Sequence, residues 1–212
     1  MNAAGRTIVL AGATSDAGLV AASRLLTAGA RVVATGRSAG RLEPLREAGA
    51  QVEVADATSL ESMAALAARL DGVDAVIPLV GGWRGGGGLS GQTDADFDAL
   101  MPALQAVRAT SRAFDSALQA SDAGRFAVVS SSAVARPLAG GANYAAVKAA
   151  SEAWTRAVAH GFAKAARDAQ QPLRAASVVF RVKALDPEAL AAAAVALWDT
   201  DAAELNDTVI EL

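Results

Sequence analysis

Residues 7–26, TIVLAGATSDAGLVAASRLL, decide the fold. Thr7 to Ala11 is apolar at consecutive positions, the pattern of a strand covered on both faces. A short turn with Gly12 follows, and the Ala-rich stretch from Ala17 to Ala28 has helical spacing with Gly18 in its first turn. Free N–H groups and the positive dipole end at such a helix start suit a pyrophosphate, and glycine permits an approach that a Cβ would block. A tight strand-to-helix connection, with Ser15 or Asp16 capping the helix, is the competing reading.

Working outward, the same alternation runs to the end of the chain. Strands are expected at Thr7 to Ala11, Arg31 to Thr35, Gln51 to Val54, Asp74 to Val80, Arg125 to Ser130, Arg174 to Phe180 and Thr208 to Leu212. Helices are expected at Ala17 to Ala28, Ala39 to Ala48, Leu60 to Leu70, Asp94 to Ala120, Asn143 to Ala169 and Pro187 to Trp198. The order predicts one α/β domain over residues 1–212. It is a doubly wound parallel sheet of about seven strands, helices on both faces and right-handed crossovers, with ligands beyond the carboxyl ends of the strands.

Composition narrows the function. The chain has 212 residues, 53% hydrophobic and 19% charged, with net charge −3. That balance argues against a nucleic-acid partner. Cysteine is absent, which removes disulfides, thiolate metal sites and a cysteine nucleophile. The single histidine, His160, stands in a helical stretch without an evident partner, so no metal site is expected. No apolar run reaches the ~20 residues that span a bilayer, and the N-terminus lacks the long apolar segment of a signal peptide. No membrane partner and a cytoplasmic location are expected. The segment Gly81 to Gly91, GGWRGGGGLSG, holds seven glycines. It is expected to be mobile, either as a flap carrying Trp83 and Arg84 over a site or as a surface excursion.

The residues after each strand carry the chemistry. The second strand ends in TGRSAGRL, where Arg37 could hold a phosphate and no acid is present. A solvated helix-start arginine is the alternative. Tyr144, the only tyrosine, is followed by Lys148, one of three lysines. Positions i and i+4 share a helix face, and a neighbouring ammonium favours phenolate, making Tyr144 a candidate general acid and base. Thirteen residues before it stands Ser131, next to the strand FAVVS.

Ser, Tyr at plus thirteen and Lys four further on resemble the active-site pattern of the short-chain dehydrogenase/reductase family, and ANYAAVKAA resembles its signature helix. The first turn resembles the family's TGxxxGxG, with Ala11, Gly12 and Gly18 matching its first Thr, first Gly and last Gly, and Asp16 replacing the middle glycine. The resemblance spans Thr7 to Leu212 and implies a Rossmann fold. It further implies that Tyr144 exchanges the proton, that Ser131 holds the carbonyl oxygen, and that Lys148 supports Tyr144 and bonds the nicotinamide ribose. Ser130 and Ser132 leave the serine uncertain by one residue. The resemblance assigns cofactor contacts to Gly12, Thr14, Ser15, Asp16, Gly18, Arg37, Asp56, Val80, Gly81 and Lys148, with Asp56 at the adenine-binding acid or capping a helix.

Departures from the pattern are several. Pro78, Leu79, Val80 and Gly81 stand for Asn-Asn-Ala-Gly, Leu104 stands for the water-anchoring asparagine, and VVFRVKALDPEAL lacks the Pro-Gly and the lid segment. The implied activity is an NADP-preferring oxidoreductase, with NAD possible, acting on a small-molecule carbonyl or alcohol and assembling as a homodimer or homotetramer. A non-catalytic NAD(P)-binding or regulatory member is the competing reading, motivated by Asp16, Leu104 and the missing lid.

Overall fold

The computed structural model describes residues 3–212. Its elements are β1 (Thr7–Ala11), α1 (Asp16–Thr27), β2 (Arg31–Gly36), α2 (Ala39–Glu47), β3 (Gln51–Val54), α3 (Leu60–Ala67), β4 (Ala75–Pro78), α4 (Asp94–Ala120), β5 (Arg125–Ser131), α5 (Ala142–Asp168), β6 (Ala176–Val182), α6 (Pro187–Val195), α7 (Ala202–Leu205) and β7 (Thr208–Glu211). The strands form one parallel sheet in the order β3-β2-β1-β4-β5-β6-β7. The chain therefore winds outward from β1 to one edge, returns to β4 beside β1, and winds to the other edge. At that reversal the loops after β1 and β4 diverge to opposite faces and leave a crevice.

Strand parity divides the core. Ile8, Leu10, Val32, Ala34, Val178 and Phe180 pack with Leu25, Leu42, Leu45 and Leu190 under α1, α2 and α6. Val9, Val33, Val76, Phe126 and Val128 pack with Met63, Val107, Phe114, Leu118 and Phe162 under α3, α4 and α5. Both faces are dry, which is why the strand sequences read as unbroken apolar runs. Local chemistry sets the helix starts. Ser15, Ser59, Thr93 and Asp186 each accept from a backbone N–H in the first turn of the helix that follows. Among the described residues no helix is long and apolar enough to cross a membrane.

Several expected boundaries move, among them the end of α3, at Ala67 and not Leu70. β4 is four residues long, without Asp74, Leu79 and Val80; Asp74 keeps backbone bonds to Thr7 and Arg125, and its carboxylate accepts from the Thr7 N–H at 2.8 Å, Ser121 Oγ at 2.6 Å and Arg6 at 3.2 Å. β6 begins at Ala176 and runs through Arg181 to Val182, two residues later than the apolar pattern suggests. The helix expected to end at Trp198 relaxes into a 3₁₀ turn over Ala196–Trp198 and is followed by α7, which the sequence does not announce.

Candidate active site

The crevice at the strand ends is a continuous cleft with two lobes. The larger, about 1080 Å³, is lined by Tyr144, Lys148, Ser131, Ser132 and the segments after β4 and β6. The smaller, about 590 Å³, lies over β1, β2 and β3, and the two share Ser15, Leu79, Val80 and Gly81.

In the larger lobe, α5 begins at Ala142, so Tyr144 and Lys148 stand one turn apart near its start. The Lys148 ammonium donates to the Val129 carbonyl at 2.8 Å and lies 5.7 Å from the centre of the Tyr144 ring. Burial pushes the Lys148 amine down to about 8, against the opposing pull of the Glu152 charge. Tyr144 is half-buried, packed against the small cluster of Leu100, Ala103 and Val147. Leu104 packs against the same cluster.

Ser130, Ser131 and Ser132 all line the larger lobe, and their hydroxyls have different partners. Ser130 points to the α5 side, where its hydroxyl donates to the buried Glu152 carboxylate at 2.6 Å. Glu152 also holds Arg181 at 2.7 Å, and Arg181 reaches Glu211 at 3.2 Å. Ser131, the last residue of β5, lines the cavity and accepts from the Ala133 N–H at 3.2 Å. Sequence inspection missed Glu152, though it lies four residues beyond Lys148 on the same helix face.

The glycine turn is tight for internal reasons. A Cβ on Gly18 would stand 2.1 Å from the Ala13 carbonyl oxygen, and one on Gly12, at φ +80°, would stand 2.5 Å from Val80 Cγ2. Ser15 accepts from the Gly18 N–H at 3.3 Å, so the capping reading of Ser15 is realised. Asp16 is exposed and lines neither lobe, whereas Ser15 lines both. Thr14 lines the smaller lobe, its methyl against Gly36.

Arg37 is exposed and lines the smaller lobe together with Arg41, whose guanidinium donates to the Thr14 carbonyl at 3.2 Å. Arg41 was not singled out from the sequence, although its spacing of four from Arg37 could have suggested it. Asp56 also lines this lobe, and Asp56 Oδ1 accepts from the Thr58 N–H and hydroxyl at 2.9 and 2.8 Å. The cap of α3 is Ser59, not Asp56. Gly81 runs past the amine, since a Cβ built there would stand 4.0 Å from Lys148 Nζ. Among the described residues the larger lobe is lined by Arg136, Lys148 and Lys183 and by no acidic side chain. His160 is exposed on α5, 3.4 Å from Asp207 and away from the cleft.

An open parallel sheet with a glycine turn after β1 and a cleft at the β1/β4 reversal defines a protein of the dinucleotide-binding α/β class. More narrowly, the chain belongs to the short chain dehydrogenase family, whose sequence profile matches residues 6–166. A metagenomic short-chain oxidoreductase, solved in complex with NADP, is 27% identical, with TM-score 0.80 over 100% of this chain and 98% of that one. A protein described as a short chain dehydrogenase/reductase family protein has TM-score 0.83 over 100% and 97% of the two chains. At 23% identity it speaks to the fold alone. No curated protein matches the chain.

Proposed function

We propose that residues 1–212 form one NAD(P)-binding domain that transfers a hydride between nicotinamide and a carbonyl or alcohol carbon. Tyr144 acts as general acid and base. The observation that carries the reading is the meeting of Tyr144, Ser131 and Lys148 on one cavity wall at the carboxyl edge of the sheet. The cleft fits an extended dinucleotide: its two lobes share Ser15, Leu79, Val80 and Gly81 across the β1/β4 reversal, Ser15 and Ala17 at the start of α1 line it, and cations line both lobes. A nicotinamide cofactor held there supplies the hydride chemistry.

The chain supplies the rest. The Tyr144 phenol gives its proton to the carbonyl oxygen during reduction and takes it back from the alcohol during oxidation. The Ser131 hydroxyl donates to the same oxygen and fixes its direction. Lys148 spends one of its three donors on the Val129 carbonyl, which holds the amine beside the phenol and leaves two donors for the cleft. Arg37 and Arg41, with no acid at the end of β2, favour the 2′-phosphate of NADP over the bare ribose of NAD. Gly12, Thr14, Ser15, Asp56, Val80 and Gly81 shape the cofactor cleft, Gly18 keeps the turn after β1 tight, and Asp16 lies outside the lining. The NADP complex of the 27% identical oxidoreductase supports the cofactor choice. The protein works in the cytoplasm, and α4 and α5, packed side by side with Arg108 over the Trp154 ring, offer the face for a homodimer or homotetramer.

The test is Tyr144→Phe with NADPH and a panel of carbonyl compounds. Turnover falls by roughly a hundredfold or more, as loss of a general acid requires. NADPH affinity, read from nicotinamide fluorescence, stays near that of the parent. Retained turnover removes Tyr144 from this role.

A further inference from the structure

The glycine-rich segment before α4 is fastened to the turn before α5 by one side chain. The two hydrogens of the Gln92 amide nitrogen serve three carbonyls, one of them shared: Gly86 at 3.1 Å, Gly88 at 3.3 Å and Gly140 at 3.1 Å. Its oxygen accepts from the Asn143 N–H at 3.2 Å, one residue before Tyr144. The Gly86 N–H adds 2.7 Å to the Gly140 carbonyl. Glycine at position 85 is a steric requirement, because a Cβ there would stand 2.4 Å from the Gly140 oxygen and 3.0 Å from Cζ2 of Trp83. The segment therefore seats the indole of Trp83 on Gly85, in the cavity wall that also carries Tyr144.

Around the same opening stand Leu138, just before the Gly140 turn, and Leu185, just after β6. Trp83 is 61% exposed, Leu138 70% and Leu185 48%. The other large exposed apolar side chains among the described residues, Val54, Leu89, Phe97 and Leu212, line neither lobe. Three such groups gathered at one mouth mark a surface that a ligand covers.

We propose that this rim sets substrate class: Trp83, Leu138 and Leu185 clasp a bulky apolar carbonyl or alcohol whose oxygen faces Tyr144 and Ser131. Gln92 is a positioning residue that holds Trp83 there. The proposal rests on the oxidoreductase reading of the same cavity, and it gives the β4–α4 segment the place of the lid that the short β6–α6 connection lacks.

Calorimetric titration tests it with 2-tetralone, a bulky aryl-fused ketone, and dihydroxyacetone, a compact polar one, each with and without NADP⁺. The parent binds 2-tetralone at least tenfold more tightly than dihydroxyacetone. Trp83→Ala weakens 2-tetralone at least tenfold and Trp83→Phe recovers most of the affinity. Gln92→Ala weakens 2-tetralone and leaves NADPH affinity in place, a split that general loosening of the fold would not produce. Equal affinity for the two ketones, or an unchanged Trp83→Ala, overturns the proposal. Failure of the parent to bind NADPH strikes the oxidoreductase reading instead, while the titration without cofactor still reports on the rim.

Discussion

Replacing Lys148 by methionine exposes how much folding free energy the cleft gives up to hold an ammonium. Burial brings the amine from its ordinary 10.5 down to about 8, Glu152 opposing. That gap corresponds to about 3 kcal/mol by which the folded chain disfavours the charged form. The folded-state value lies below the unfolded one, so the unfolded chain holds more protons between about pH 8 and pH 10.5. Stability from this group is accordingly lowest below about pH 8 and rises through that window. Methionine keeps most of the volume and loses the titration, and the Val129 carbonyl loses a donor worth about 1 kcal/mol. At neutral pH the variant should therefore be more stable than the parent by about 2 kcal/mol. Urea denaturation of both proteins at pH 7 and at about pH 10 gives the double difference, in which other titrating groups cancel. The parent should recover most of the ~3 kcal/mol relative to the variant. Parallel pH curves would refute a desolvated amine at this position.

Gly18→Ala should cost about 3 kcal/mol in urea denaturation, since the new methyl would meet the backbone of Ala13 at 2.1 Å and neither side can swing away. Arg125→Met should cost a similar amount, about 3 kcal/mol. The buried guanidinium donates to the carbonyls of Gly124, Arg174, Leu197 and Thr200, which would be left without it. Arg37→Ala should weaken NADPH roughly tenfold and leave NADH nearly unchanged, as loss of one charge-assisted phosphate contact demands. Fluorescence titration with both nucleotides checks it, and equal losses would place Arg37 away from the 2′-phosphate.

The sheet was legible because both of its faces are dry: Ile8 and Leu10 serve one layer, Val9 and Ala11 the other, so each strand shows as an unbroken apolar run. The same rule misplaced β6. Arg181 reads as a strand end, yet it sits inside the strand because Glu152 on α5 and Glu211 on β7 hold its guanidinium. Those partners lie 29 and 30 residues away, beyond any local pattern. Asp74 stands just before β4 with its backbone bonded to Thr7 and Arg125, while its carboxylate holds the Thr7 N–H and Ser121 through tertiary placement that no local pattern announces. In the site, the spacing of Ser131, Tyr144 and Lys148 was readable because a strand end and one helix turn fix it. The Gln92 contacts were not, since a glutamine in a glycine-rich stretch has no spacing that announces three carbonyls.

Strand parity also explains why adjacent serines have unrelated surroundings. Ser130 shares the parity of Phe126 and Val128, which face α4 and α5, so its hydroxyl meets a helix side chain and closes on Glu152. Ser131 lies one residue further, in the last pair of the ladder opposite Val182 of β6, with the opposite parity and at the cavity edge. Tyr144, Lys148 and Glu152 then repeat the contrast along α5 at intervals of four: a half-buried phenol, an amine held on Val129, and a carboxylate closed off behind them. Glu152 is fixed by Ser130 and Arg181, so its charge cannot turn toward the cleft, yet it lies near enough to oppose the desolvation of Lys148. The ion pair behind the sheet thus supports the protonated amine beside Tyr144 without itself lining the cavity.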